Sequence, residues 1–292
     1  MLVFARRIRT PILRRAGPVI KRILVGLAGT PFTSVAIQRA VELGRLHEAE
    51  VLGVTVVDRR RLGALLKTRN AAEDAVRESL RIQLSEQRME QSIEELEAAC
   101  ADSGVACMIR RETGDPFALM TSLARYADVM VFGLRSLFEY DYVCENPGSV
   151  LAQIVSRGIR PIIAVSRQFR CIRRVLLAYS GSMESAKTIK LFLQLRLWPD
   201  MTMKLVTCEH PADQARALLA DAADYCHTHG YTTETECIPG SARKELLPHA
   251  EEWNADLVVL GNSARLFLIR KVFGETALNA LQHSVLPLFL SQ

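Results

Sequence analysis

The sequence predicts an α/β protein made of two tandem, doubly wound, five-stranded parallel-sheet domains that together form a pseudo-dimer. Two observations carry this reading. The first is a repeat: residues 20–43, IKRILVGLAGTPFTSVAIQRAVEL, align without a gap to residues 172–195, IRRVLLAYSGSMESAKTIKLFLQL. Further on, ADVMVFG (127–133) recurs as ADLVVLG (255–261), and GSVLAQIVSRGIRPII (148–163) recurs as GETALNALQHSVLPLF (274–289). Matched blocks in the same order mean two copies of one unit. The second is the alternation of short, continuous apolar runs with amphipathic stretches. That pattern belongs to parallel strands buried on both faces by helices.

In the first copy, Ile23–Leu27 reads as a buried strand ended by Ala28-Gly29-Thr30-Pro31, and Ser34–Leu46 as an amphipathic helix. Val51–Val57 is a second strand. Arg59–Asn70 is basic and irregular. Residues 72–100 form a long inserted helix, with apolar residues at 76, 80, 89, 93, 96 and 100. Packing against the sheet accounts for that stripe; the competing reading is a projecting surface for a partner. Val105–Arg110 is a third strand. Asp115 then caps a helix that has Pro116 at its first position. Asp128–Phe132 is the fourth strand, a helix opens at Gly148-Ser149, and Pro161–Val165 is the fifth strand. The second copy repeats the order with strands near 174–179, 203–208, 232–237, 256–260 and 286–290. Its helices lie near 184–196, 212–228, 242–252 and 275–283. The domains therefore run from 20 to 167 and from 172 to 292. The link between them is too short to hold them far apart.

Residues 1–19 stand before the repeat as a basic arm, expected to be flexible and dispensable for the fold. Arg6, Arg7, Arg9, Arg14, Arg15, Lys21 and Arg22 face no acid within the first 22 residues; without these seven, 30 basic residues remain against 32 acidic ones. The body is thus slightly acidic, which argues against a nucleic-acid-binding body. No apolar run reaches the ~18 residues that a membrane helix needs. Seven cysteines with no CxxC spacing point to a reducing, cytoplasmic setting.

The strand–(D)GS/T–helix opening, the ADxxxxG segment, the Gly-Ser helix start and the Pro-led last strand together resemble the universal stress proteins. The resemblance covers nearly everything from residue 20 onward, as a tandem pair. It implies a stress-response protein and contact between the halves through their last strands. In members that bind ATP it also implies a G-x2-G-x9-G-(S/T) loop after the fourth strand, and an Asp after the first strand near the adenine. Glycines let the backbone approach ribose and phosphate, and a helix N-terminus favours an anion.

Both copies depart from that pattern. The second reads Gly261-x2-Ala264-x9-Gly274-Glu275-Thr276, with the right spacing but Ala264 for glycine and Glu275 for the hydroxyl residue. Arg265, Arg270 and Lys271 lie in its loop. The first reads Gly133-x2-Ser136-x11-Gly148-Ser149, two residues too long and carrying Phe138, Tyr140 and Tyr142. The Asp position is Ala28 in one copy and Ser180 in the other. A strand-ending turn glycine is by itself enough to explain both Gly133 and Gly261. The expectation is a non-catalytic protein with degraded nucleotide sites that acts through conformation and an unidentified protein partner, with self-association into a homodimer a further possibility. ATP is the one candidate cofactor, the second domain is the better site, and an ATP-binding stress sensor using that domain is the alternative reading.

Two rival patterns are weaker. Ser180-Gly181-Ser182-Met183-Glu184-Ser185 resembles the SGGxDS loop of ATP pyrophosphatases, the enzyme alternative, but lacks its second glycine and its Asp. Cys226-His227-x-His229 has metal-ligand residue types at a spacing that does not share one helix face. No nucleophile–base pair is visible, and neither a catalytic nor a metal set is assigned.

Overall fold

The computed structural model describes residues 20–57, 71–134, 161–208, 211–261 and 275–291. Ten strands form one sheet in the order β3-β2-β1-β4-β5-β10-β9-β6-β7-β8. In the first half these are β1 (Arg22–Gly26), β2 (Glu50–Val57), β3 (Cys107–Thr113), β4 (Val129–Gly133) and β5 (Ile162–Val165). Their counterparts are β6 (Arg174–Ala178), β7 (Thr202–Cys208), β8 (Thr233–Ile238), β9 (Leu257–Gly261) and β10 (Leu288–Ser291). Among the described residues, every pairing within a half is parallel. An antiparallel pairing joins the halves: Leu288 opposes Ala164, Phe289 opposes Ile163 and Leu290 opposes Ile162. Two sheet edges that would otherwise face solvent are thereby buried against each other.

The helices are α1 (Thr33–His47), α2 (Ala71–Ser103), α3 (Pro116–Leu123), α4 (Met183–Leu195), α5 (Ala212–Thr228), α6 (Ala242–Glu252) and α7 (Glu275–His283). Successive strand residues point to opposite faces, so the sheet carries two cores. One gathers Ile23, Val25, Val175, Leu177 and Phe289 with residues of α1, α2, α4 and α5. The other gathers Leu24, Met130, Leu176, Leu288 and residues of α3, α6 and α7. Each core runs through both halves, so the two copies fold as one pseudo-dimer rather than as beads.

The Asp of each ADxxxxG segment has a structural task. Asp128 Oδ2 accepts the backbone N–H groups of Lys21 and Arg22 at 2.7 and 2.9 Å. Asp256 Oδ2 does the same for Arg173 and Arg174 at 3.0 and 2.9 Å. These are donors at the entry of β1 and β6, which the neighbouring strand does not reach.

Element boundaries differ from expectation in two instructive places. β3 starts at Cys107, not Val105, because Val105 N–H donates to Cys100 O to close α2, with Gly104 at φ +64°. The apolar stripe of α2 also splits. Met89, Ile93, Leu96 and Cys100 are buried, whereas Val76 and Leu80 are 68% and 56% exposed. Leu80 and Met89 are nine positions apart, about 180° around a helix of 3.6 residues per turn, so they cannot share a face. The expected helix after Gly148-Ser149 and the arm at 1–19 lie outside the described residues.

Candidate functional site

Ligands in doubly wound sheets bind beyond the carboxyl ends of the strands, where the strand order reverses. In the second half that mouth follows β6. Tyr179 is half-buried, while Ser180 and Gly181 are exposed. Gly181 takes φ +75°, a left-handed turn that glycine adopts without Cβ strain. Ser182 then caps α4, accepting the Ser185 N–H at 3.2 Å. Three hydroxyls converge there. Ser180 Oγ lies 3.0 Å from Ser182 Oγ and 3.2 Å from Ser185 Oγ, and Ser185 Oγ donates to Ser182 O at 2.9 Å. Glu184 sits in the same helical turn.

Gly261 ends β9 directly against this turn. A Cβ on it would lie 2.6 Å from Ser185 Cα and 2.9 Å from Ser185 N. Its φ is not in the left-handed range. The glycine is therefore required for space rather than for a turn, which corrects the expectation from the sequence. It couples the end of the fourth strand of the second half to the first turn of α4.

The first-half mouth is built differently. Ala28, Gly29 and Thr30 are half-buried, and Thr30 N–H donates to Thr33 Oγ1 at 2.9 Å. A Cβ on Gly29 would meet Arg88 Cβ at 2.5 Å and the Arg88 carbonyl carbon at 2.9 Å. The backbone of α2 thus abuts the loop after β1. Its second-half counterpart is milder: among the described residues, the nearest atoms to a Cβ on Gly181 belong to the Leu218 side chain of α5, at 3.0 Å and beyond. The Arg167 guanidinium lies 5.3 Å above the Phe32 ring beside this mouth. Arg88 and Leu218 were not legible as site residues, because their proximity depends on helices packing over the loops; Ser185 was visible only as the end of the Ser180–Ser185 motif.

Of the residues expected at the second site, Ser180 and Gly261 come together around Ser185. Thr276 is half-buried in α7, and Glu275 is the first residue of that helix. Ala264, Arg265 and Gly274 lie outside the described residues, as do Ser136, Gly148 and Ser149 of the first half. Gly133 ends β4. The Cys226 side chain is buried, and its carbonyl accepts the His229 and Tyr231 N–H groups, which gives this segment a helix-ending role. Burial raises the Cys226 thiol pKa to about 11. Among the described residues no group of three or more His, Cys, Asp or Glu could hold a metal ion. Nor is any described helix long and apolar enough to cross a membrane.

The sequence model of the universal stress protein family matches residues 20–141 and again residues 172–291. The chain belongs to the universal stress protein family. A curated relative, universal stress protein Slr1230 of Synechocystis, is 24% identical over 181 residues, 61% of this chain and 63% of that protein. The matched segment thus spans less than two thirds of the relative's length. Among solved structures, a universal stress protein from Archaeoglobus fulgidus superposes with a TM-score of 0.67 at 13% identity, covering 93% of this chain and 96% of that one. A putative universal stress protein from Pseudomonas aeruginosa gives 0.58 at 15% identity, covering 94% of each chain. These likenesses establish a shared fold over both halves of this tandem universal stress protein.

Proposed function

We propose that this tandem universal stress protein is a non-catalytic stress-response protein that works by conformation and partner contact. Its second domain keeps a weak adenine-nucleotide site, and its first domain has given its site up to packing. The observation that carries the reading is the contrast between the two mouths. Beside Ser180 and Gly181 the surface is exposed, and the Ser180 hydroxyl stands at the N-terminus of α4 next to half-buried Ser182 and buried Ser185. Such a cluster suits ribose hydroxyls and phosphate oxygens, with the helix dipole adding attraction for an anion. Beside Gly29, α2 occupies the corresponding space with its backbone. ATP fits the second mouth incompletely, since Ser180 stands where nucleotide-binding members carry Asp. Glu275 opens α7 with a carboxylate where those members place a hydroxyl.

Calorimetric titration with ATP of Ser180→Asp and of Ala28→Asp tests the reading. The first substitution restores the family's adenine-side carboxylate at an exposed position and should tighten binding; the second should leave it unchanged. Tighter binding only in Ala28→Asp would make the first half the ligand domain. Steady phosphate release from ATP by the unmodified protein would refute the non-catalytic reading.

A further inference from the structure

Helix α2 is far longer than the sheet it covers. Arg88 marks the level of the loop after β1, through its contact with Gly29. The turns from Ala71 to Gln87 continue past that level for roughly 25 Å, at 1.5 Å per residue. In this projecting part the apolar residues lie on two opposite faces. Ile82 is buried, on the same side as Met89 and Ile93. Val76, Leu80 and Leu84 succeed one another at intervals of four on the other side and are 68%, 56% and 45% exposed. A shallow groove lined by Val76, Ser79, Leu80 and Gln83 runs along them. A contiguous aliphatic stripe on a helix that already has its packed face marks an interaction surface.

We propose that this stripe is a self-association surface, on which α2 of a second copy packs antiparallel about Leu80. Charge placement selects the occupant and its direction. With Leu80 at the two-fold axis, Val76 of one copy meets Leu84 of the other, and exposed Glu73 comes to the level of Gln87, one residue short of exposed Arg88, whose long side chain lies on the same side of the seam. Symmetry makes that ion pair twice. A parallel pair would set Glu73, which lies two turns before Leu80 on nearly the same line of the helix, against its own copy. An anionic lipid surface or nucleic acid would ask for one sign of charge, whereas Glu73, Arg77, Glu86 and Arg88 mix both. The surface is small. Three partly exposed aliphatic side chains per copy fall well short of the ~800 Å² per partner of a standard interface, so the dimer is weak and concentration-dependent, with a dissociation constant on the order of 10–100 μM.

Sedimentation velocity on the full chain, from a few micromolar to several hundred micromolar, tests this. The unmodified protein should shift from monomer to dimer across that range. Leu80→Glu should weaken association at least about tenfold, with unchanged circular dichroism because Leu80 is exposed. Glu73→Arg should weaken it too, and adding Arg88→Glu in the same chain should restore it. A protein that stays monomeric throughout overturns the proposal. So does a dimer indifferent to Leu80→Glu, which would lie on another surface. Failure of the charge exchange to restore association overturns the antiparallel register.

Discussion

Trp198 Nε1 donates to Glu42 Oε2 at 3.3 Å, linking the segment after α4 in the second half to α1 in the first. Around this bond sits Arg39, 1% exposed, which pairs with Glu42, donates to Arg170 O, and lies 4.6 Å from the Phe169 ring and 5.3 Å from that of Trp198. Burial pulls the Arg39 pKa below its ordinary value, and the Glu42 carboxylate opposes that shift. His47 Nε2 adds a contact to Leu197 O at 3.0 Å. The repeat does not reproduce this cluster: the positions matching Arg39 and Glu42 are Leu191 and Gln194. A single-sided lock therefore supplements the symmetric β5–β10 pairing.

Removing one member of that lock should cost more than replacing it with an apolar residue of similar length. Arg39→Ala is expected to destabilise by about 3 kcal/mol, through lost packing and an abandoned partner charge. Arg39→Met should cost clearly less, because it fills the space without a charge to desolvate. Urea unfolding of the two variants side by side makes the comparison. Equal losses would mean that packing does not distinguish the two replacements.

Asp128 and Asp256 should be interchangeable in their energetics. Each accepts two strand-entry N–H groups, so Asp128→Ala and Asp256→Ala should each destabilise by about 1–2 kcal/mol. The sites share no partner, so the double variant should show the sum. Chemical denaturation of the three variants reads this directly.

Gly261→Ala should destabilise by about 2 kcal/mol or more, because its Cβ would enter the backbone of α4's first turn at 2.6 Å. Gly230 is the control. It has φ +87°, but a Cβ added there would meet nothing within 4 Å, so Gly230→Ala should carry only backbone strain of about 1 kcal/mol. Thermal melting that ranked the two in the opposite order would show that α4 yields to the added methyl group.

Acid should weaken the β7–β8 edge. Lys204 Nζ donates to Glu236 Oε2 at 2.8 Å, and this hydrogen bond holds the Glu236 carboxyl below its ordinary pKa, with His249 adding to the shift. A depressed folded-state pKa stabilises above the unfolded value, about 4.3 for glutamate, and that contribution disappears as the pH falls through the lower folded value. Glu236→Gln should therefore flatten the stability profile between mildly acidic and strongly acidic solution. Unfolding measured across that pH range checks the sign.

Glu275→Ser should strengthen ATP binding by the second domain. A carboxylate in the first turn of a helix satisfies the same positive end that a phosphate would use. Its removal should gain on the order of 1 kcal/mol, close to a tenfold change in affinity. Calorimetry of the variant against the native protein decides; unchanged affinity would separate the helix α7 terminus from the nucleotide.

Repeat blocks and continuous apolar runs determine the architecture from the sequence alone. Buried strands such as Ile23–Val25 and Val175–Leu177 admit only one local reading, and two copies with a short link leave few ways to close a sheet. The same blocks did not reveal what their fixed residues do. Asp128 and Asp256 are strand-entry acceptors, and Gly261 is a spacer against Ser185; both roles depend on neighbours more than 70 residues away in sequence. The stripe of α2 was legible as apolar positions, but burial divides it between Leu80 and Met89, which lie on opposite faces of the helix. The inequality of the two mouths likewise arises in three dimensions. Gly29 and Gly181 sit in aligned turns and differ in what packs on them, a helix backbone in one half and a leucine tip in the other. Local sequence specifies backbone conformation and apolar periodicity, whereas access to a site is set by the long-range packing of helices over loops.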